Sequence, residues 1–151
     1  MKKKLKVDPI KNGTVIDHIT AGKAMQVIEL LNLNHTKSLM MIGINLSSKK
    51  IGKKDIIKIE NRVLTDDEVN SIALISPEAT LTIIDNFEVV KKRKIHLPEK
   101  ISKYIICPNP NCVTNIENVT TKFLIKANKA VEVKCEYCEK KYSIEHVKFN
   151  F

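Results

Sequence analysis

At 151 residues the chain has room for one ordinary domain, or for a small domain joined to a smaller one that needs reinforcement. Its 43% apolar and 28% charged residues exclude wholesale disorder, and no apolar run approaches the ~20 residues needed to span a bilayer. The net charge of +9 raises nucleic acid as a partner, yet residues 91–103 hold six basic residues against one acidic, while 1–90 and 104–151 each carry an excess of only two. A polyanion-binding domain spreads its cations along a face and interleaves aromatics, so the charge argues weakly for DNA or RNA.

The opening "MKKKLKVDPIKNG" is basic but has no apolar segment after it, so it does not read as a secretory signal, and a reducing cytoplasm is expected. "GTVIDHI", 13–19, has a turn glycine followed by β-branched residues and predicts a strand. "AGKAMQVIELLNL", 21–33, predicts an amphipathic helix with Ala24, Ile28 and Leu31 on one face and Met25 and Val27 flanking it. "SLMMIGINL", 38–46, and "KDIIKIEN", 54–61, read as strands. "TDDEVNSIALI", 65–75, opens with Thr65 three residues before Glu68, a capping box with an acidic first turn, and Pro77 stops the helix. "ATLTIIDNFEVV", 79–90, is one long strand or two joined at Asp85-Asn86.

The order β-α-β-β-α-β is the ferredoxin-like arrangement, with two helices on one face of an antiparallel sheet and the other face open to a ligand or partner. The expected class is thus α+β, with this domain over residues 1–90 and a basic linker over 91–103. A small all-β domain follows over 104–151, built on "YIIC", "VTTKFLIK", "AVEVKC" and "KKYSIEHVKF".

That last segment has too little apolar material to hold a core unaided. It also holds every cysteine of the chain, as Cys107-x4-Cys112 and, after 22 intervening residues, Cys135-x2-Cys138. Each pair offers two thiolates from one turn, and Pro108 and Pro110 stiffen the first turn. Two disulfides, reactive thiols and a rubredoxin-type iron site are the alternatives; spacing and compartment favour one structural zinc ion, closed by four thiolates.

"NGTVIDHI", "IGKKDIIKIEN", "IDNFEVV", "LPEKI", "CPNPNC" and "KCEYCEKKYS" occur in an order and spacing that resemble the regulatory chain of aspartate carbamoyltransferase, over essentially the whole sequence. The resemblance implies a non-catalytic subunit of a pyrimidine-biosynthetic transferase, binding nucleotide effectors of the CTP/ATP class in its N-terminal domain. It also implies docking of the catalytic chain by the zinc domain, and pairing of two regulatory chains. By the same resemblance Asp17 and His18 lie at the base and sugar, and Lys54, Lys58 and Lys92 near ribose and triphosphate. Val7, Asp8, Pro9 and Ile10 line the base and Val89 packs beneath it. The rigid turn between Cys107 and Cys112 is expected to present Asn109 and Asn111 to the catalytic chain, and the resemblance adds Glu139. Thr82, Phe87 and Lys91 depart from the family's usual asparagine, tyrosine and glycine, which bears on effector preference.

Taken singly, Lys58 reads as a solvated-face lysine, Lys92 as linker charge and His18 as a structural histidine. The whole pattern is what gives them a site. The competing function is a zinc-ribbon nucleic-acid binder, which charge location disfavours. An enzyme in its own right would need a paired acid and base or an open metal position, and the sequence offers neither.

Overall fold

The computed structural model describes residues 7–127 and 129–150, so the lysine-rich opening, residues 1–6, lies outside the described residues. The chain divides into two compact units at Ile95/His96.

The N-terminal unit contains β1 (Gly13–Thr20), α1 (Ala24–Leu30), β2 (Met40–Ser48), β3 (Gly52–Glu60), α2 (Asp66–Ile75), β4 (Thr80–Asp85) and β5 (Glu88–Lys94). The strands form one antiparallel sheet in the order β2-β3-β1-β4-β5, the expected arrangement with one strand added at an edge. Thr14, Ile16 and Ile19 of β1, Ile57 and Ile59 of β3, and Val27, Ile28, Val69 and Ile72 of the helices are all buried. They make the core between the sheet and its helices.

α2 starts as its sequence dictates. Thr65 Oγ1 accepts from the Glu68 N–H at 3.2 Å, and the Glu68 carboxylate accepts from the Thr65 N–H at 3.0 Å. α1 is shorter than the 21–33 expected. Asn32 takes a left-handed φ of 56° that ends it, and a separate 3-10 turn, Leu33–His35, follows. Its buried face also differs: Val27 is fully buried, whereas Met25 is 54% exposed. With no side-chain cap of its own, α1 is anchored by Asp55, whose Oδ2 accepts from the N–H groups of Gly22 (2.9 Å) and Ala24 (3.1 Å).

The 79–90 run is two strands. Asn86 and Phe87 both have positive φ, 51° and 64°, the backbone of a tight two-residue hairpin. β5 then continues through Lys94, and β6 (Lys100–Ser102) already belongs to the C-terminal unit, so 91–103 is not one linker. Only residues 95–99 and Lys103 lie outside strands, and Ile95 is itself buried. The physical reason is that an edge strand tolerates dense charge, and lysines there block pairing with other chains.

The C-terminal unit adds β7 (Ile105–Ile106), α3 (Val113–Ile116), β8 (Lys122–Ala127), β9 (Val131–Cys135), β10 (Lys141–Ser143) and β11 (Lys148–Phe149). A four-stranded sheet β10-β9-β8-β6 lies beside the pair β11-β7. Its core is small, with Phe123, Ile105 and Val133 the largest fully buried apolar side chains beside the cysteines. Among the described residues no helix is long and apolar enough to cross a membrane.

Candidate metal centre and ligand face

The cysteine pairs meet. The four Sγ atoms lie within 4.8 Å of one another, with Cys107–Cys138 and Cys112–Cys135 each at 3.7 Å. A disulfide needs ~2.05 Å, whereas four zinc–thiolate bonds of ~2.3 Å in a regular tetrahedron put the sulfurs ~3.8 Å apart. The donor set and its spacing therefore fit one structural zinc ion held by Cys107, Cys112, Cys135 and Cys138.

The turns carrying these ligands are built from local hydrogen bonds. Asn109 Oδ1 accepts from the Asn111 N–H at 3.0 Å, and its carbonyl accepts from the Cys112 N–H at 3.0 Å. Asn115 Nδ2 donates to the carbonyls of Cys107 and Asn109, each at 2.7 Å, which ties α3 to the first turn. In the second turn Glu139, at φ 63°, donates its N–H to the Cys135 carbonyl. Burial raises all four thiols. In Cys107 burial prevails and pushes the thiol up to about 12. Against the same burial, the Thr114 hydroxyl, 3.2 Å away, and the Thr114 backbone N–H, helped by Cys135 and Cys107, draw Cys112 down to about 7. Four sulfurs this close cannot all be thiolates until a cation joins them. Of the three expected partner residues, Asn111 and Glu139 are exposed, whereas Asn109 is half-buried and committed to its own turn.

The second constellation lies on the sheet face turned away from the helices. Cross-strand pairing sets Lys92, Thr82, Val15, Lys58 and Met41 in one row across five strands. Three bulges shape this face. Between Ile16 and Ile19, β1 has one residue more than β3 opposite it, at His18 with φ 54°. Ile16 and Ile19 can therefore both enter the core while Asp17 and His18 stay on the open face. β2 has a matching bulge between Gly43 and Leu46, at Asn45 with φ 58°. A third, in β5, lets Val89 and Lys92 lie opposite Ile84 and Thr82, which share a face.

Asp17 Oδ1 pairs with the Lys54 ammonium at 2.9 Å and accepts from the His18 N–H at 2.6 Å. Burial pushes the Asp17 carboxyl up, but Lys54 and the His18 N–H outweigh it and hold it below the usual value. His18 Nδ1 hydrogen-bonds Thr80 Oγ1 at 2.9 Å. Burial is the largest cause keeping its imidazole neutral; Asp17 opposes this, and the charges of Lys54, Lys50 and Lys92 add to it. Lys58 Nζ donates to the carbonyls of Val7 (3.1 Å) and Asp8 (2.9 Å), and burial lowers its affinity for its proton. The segment is held close over β2: a Cβ on Gly43 would stand 3.0 Å from Val7 Cγ2 and 2.8 Å from Leu46 Cδ1. Ile10 is buried and anchors the segment, while Val89 is 59% exposed.

The structure thus brings Asp17, His18, Lys54, Lys58 and Lys92 to one face, with Val7 and Asp8 tied to it. Sequence reasoning missed Thr80, Lys50 and Asp55. Asp55 left a signal, since the alternation in "DIIKIE" sets it on the core side with Ile57 and Ile59. It is fully buried, and besides anchoring α1 its Oδ1 accepts from the Asn45 N–H of the β2 bulge at 3.0 Å.

Comparison with known proteins matches each unit to a domain of one family. Residues 5–96 match the family model described as the aspartate carbamoyltransferase regulatory chain, allosteric domain, and residues 99–148 match that of its metal binding domain. The regulatory chain of Thermococcus sibiricus is 51% identical over 91% of each chain. That of Pyrococcus horikoshii is 47% identical over 97% of each, and one from Methanococcus maripaludis is 51% identical over 93% of this chain and 94% of its own. These relatives are named as regulatory, not catalytic, chains.

Proposed function

The chain belongs to the aspartate carbamoyltransferase regulatory-chain family, and we propose that it binds nucleoside triphosphates of the CTP/ATP class on the open face of its N-terminal sheet and a catalytic chain through its metal unit. The observation that carries the effector half is the gathering of Asp17, His18, Lys54, Lys58 and Lys92 on one face by bulged strands. In this reading Asp17, an anion beside a backbone bulge, accepts from amino or hydroxyl groups of base and sugar. Lys92 faces the phosphates. Lys58 holds the Val7–Ile10 segment that closes over the base, and Val89 supplies an apolar floor. Titration calorimetry with CTP and ATP on the zinc-loaded chain tests it. Saturable heat, lost in Lys92→Ala by about tenfold in affinity, is expected for one charge-assisted contact. No heat and no competition at millimolar nucleotide overturns it.

The partner half is supported by the rigid turns of the metal centre, which present Asn111 and Glu139 with little entropy to lose. Asn109 serves by holding the turn. Copurification with the catalytic chain, reduced by Asn111→Ala, is the corresponding test.

Two regulatory chains would pair through β2. This edge carries Ile42 and Ile44, 38% and 49% exposed, and no charged residue between Met40 and Ser48. The opposite edge, β5, presents four successive cations, Lys91–Lys94, which repel a second copy. The same strand accounts for much of the basic excess that suggested nucleic acid. Cysteines spaced for a metal and not for disulfides support a cytoplasmic location.

A further inference from the structure

α3 takes no part in the apolar core of its unit. None of its four residues is buried, and Val113 and Ile116 are 37% and 69% exposed. Apolar burial therefore does not hold it in place. What ties it down is polar and aimed at the first chelating turn. The Asn115 amide donates to the carbonyls of Cys107 and Asn109, each at 2.7 Å, and the Asn115 N–H donates to the Cys112 carbonyl at 2.9 Å. One residue earlier, the Thr114 hydroxyl donates to Cys112 Sγ at 3.2 Å.

Cys112 is a ligand for which such a donor matters. The residue is 1% exposed, and its sulfur lies 3.7 Å from that of Cys135, which is fully buried. Four thiolates outnumber the charge of one divalent ion by two, so negative charge remains on sulfur that water does not reach. A hydroxyl aimed at that sulfur replaces the missing solvation, and a charge-assisted hydrogen bond is about twice as strong as a neutral one. Cys138 is only half-buried and can draw on water instead.

We propose that Thr114 is a positioning residue of the metal centre, its hydroxyl holding the Cys112 thiolate in place and taking up part of its charge. Asn115 fixes the turn from which Cys107 and Cys112 project. Thr114 thereby raises metal affinity and makes the Cys112 sulfur a weaker electron donor. The inference rests on the four-thiolate assignment and is independent of the nucleotide and docking readings.

The experiment uses the full chain in wild type, Thr114→Val, Thr114→Ser and Thr121→Val. It measures zinc affinity by chelator competition, and the sulfur-to-metal charge-transfer band of the cobalt(II)-loaded chain. Thr114→Val keeps the side-chain shape and removes the donor, so it should lose about tenfold in zinc affinity. Its band should move to longer wavelength, because a thiolate without the hydrogen bond gives up electrons more readily. Thr114→Ser should restore both. Thr121→Val is the control, since its hydroxyl donates to the Ile105 carbonyl at 2.6 Å and not to sulfur. It should lower unfolding stability and leave the band in place. An unmoved band in Thr114→Val overturns the assignment even where stability falls, because that marks a hydroxyl with a structural role alone. Where Thr114→Val takes up no metal, Thr114→Ser decides: a wild-type band supports the proposal, and a second failure overturns it. A wild-type cobalt complex with fewer than four thiolates removes the metal assignment and this inference together.

Discussion

The two units solve the same problem by opposite means. The N-terminal unit folds around buried aliphatic side chains drawn from its strands and two helices, and its candidate site is a by-product of irregularities in that sheet. The C-terminal unit has short strands, a sparse core and four sulfurs at its centre, so that there the site is the core. In the first, a side chain can be lost from the ligand face without loss of fold. In the second, site and stability are one quantity.

Metal removal exposes this difference most strongly. A structural four-thiolate site contributes on the order of 10 kcal/mol or more to a domain of this kind. Cys135→Ser, or a strong chelator, should unfold the C-terminal unit and leave the N-terminal amide spectrum in place. A metal-free chain with an unchanged C-terminal spectrum would remove the contrast. Within the N-terminal unit the largest single effect should come from Asp55→Ala, which orphans the N–H groups of Gly22, Ala24 and Asn45 together. A cost of about 3–5 kcal/mol is expected, measured by denaturant unfolding, with zinc content unchanged.

A smaller effect is expected at the β2 edge. Ile44→Lys places a charge at the strand proposed to pair and should weaken self-association by about 2 kcal/mol, seen by sedimentation, with no shift in monomer stability. The smallest concerns pH. Because the fold keeps His18 neutral, its value lies below the ordinary 6.5. The unfolded chain then binds the proton first, so stability is full above pH 6.5 and falls as the pH drops from there toward the folded value. Asp17 adds a loss in the same direction below 3.8. His18→Gln should flatten the upper part of this decline and leave the lower part, a difference readable in thermal unfolding at pH 5 and 7.

Legibility in the sequence followed the same division. Both chelating turns could be read from spacing, because each pair is local and the chemistry admits few donor sets. The Thr65–Glu68 capping box was equally legible, being contained within four residues. What depended on pairing across the sheet was not. In "VIDHI" nothing marks His18 as the extra residue of a bulge; that follows only from Ile16 and Ile19 both being needed in the core. The run "KKRK" reads as linker because charge density is a local cue, whereas membership of an edge strand is decided by what lies beside it. Asn109 reads as a partner residue because it lies in a rigid turn between two ligands; that its amide also braces this turn depends on the folded backbone.

Asp55 has one more consequence, in the time domain. Its two oxygens are shared by three amides that belong to the approach to α1, the first turn of α1 and the bulge of β2. Such amides are released to solvent by one event, the departure of one carboxylate, so their hydrogens should exchange with solvent at a common rate. The helix start at Ala24 and the sheet edge at Asn45, 21 residues apart in the chain, would thus open as a single unit.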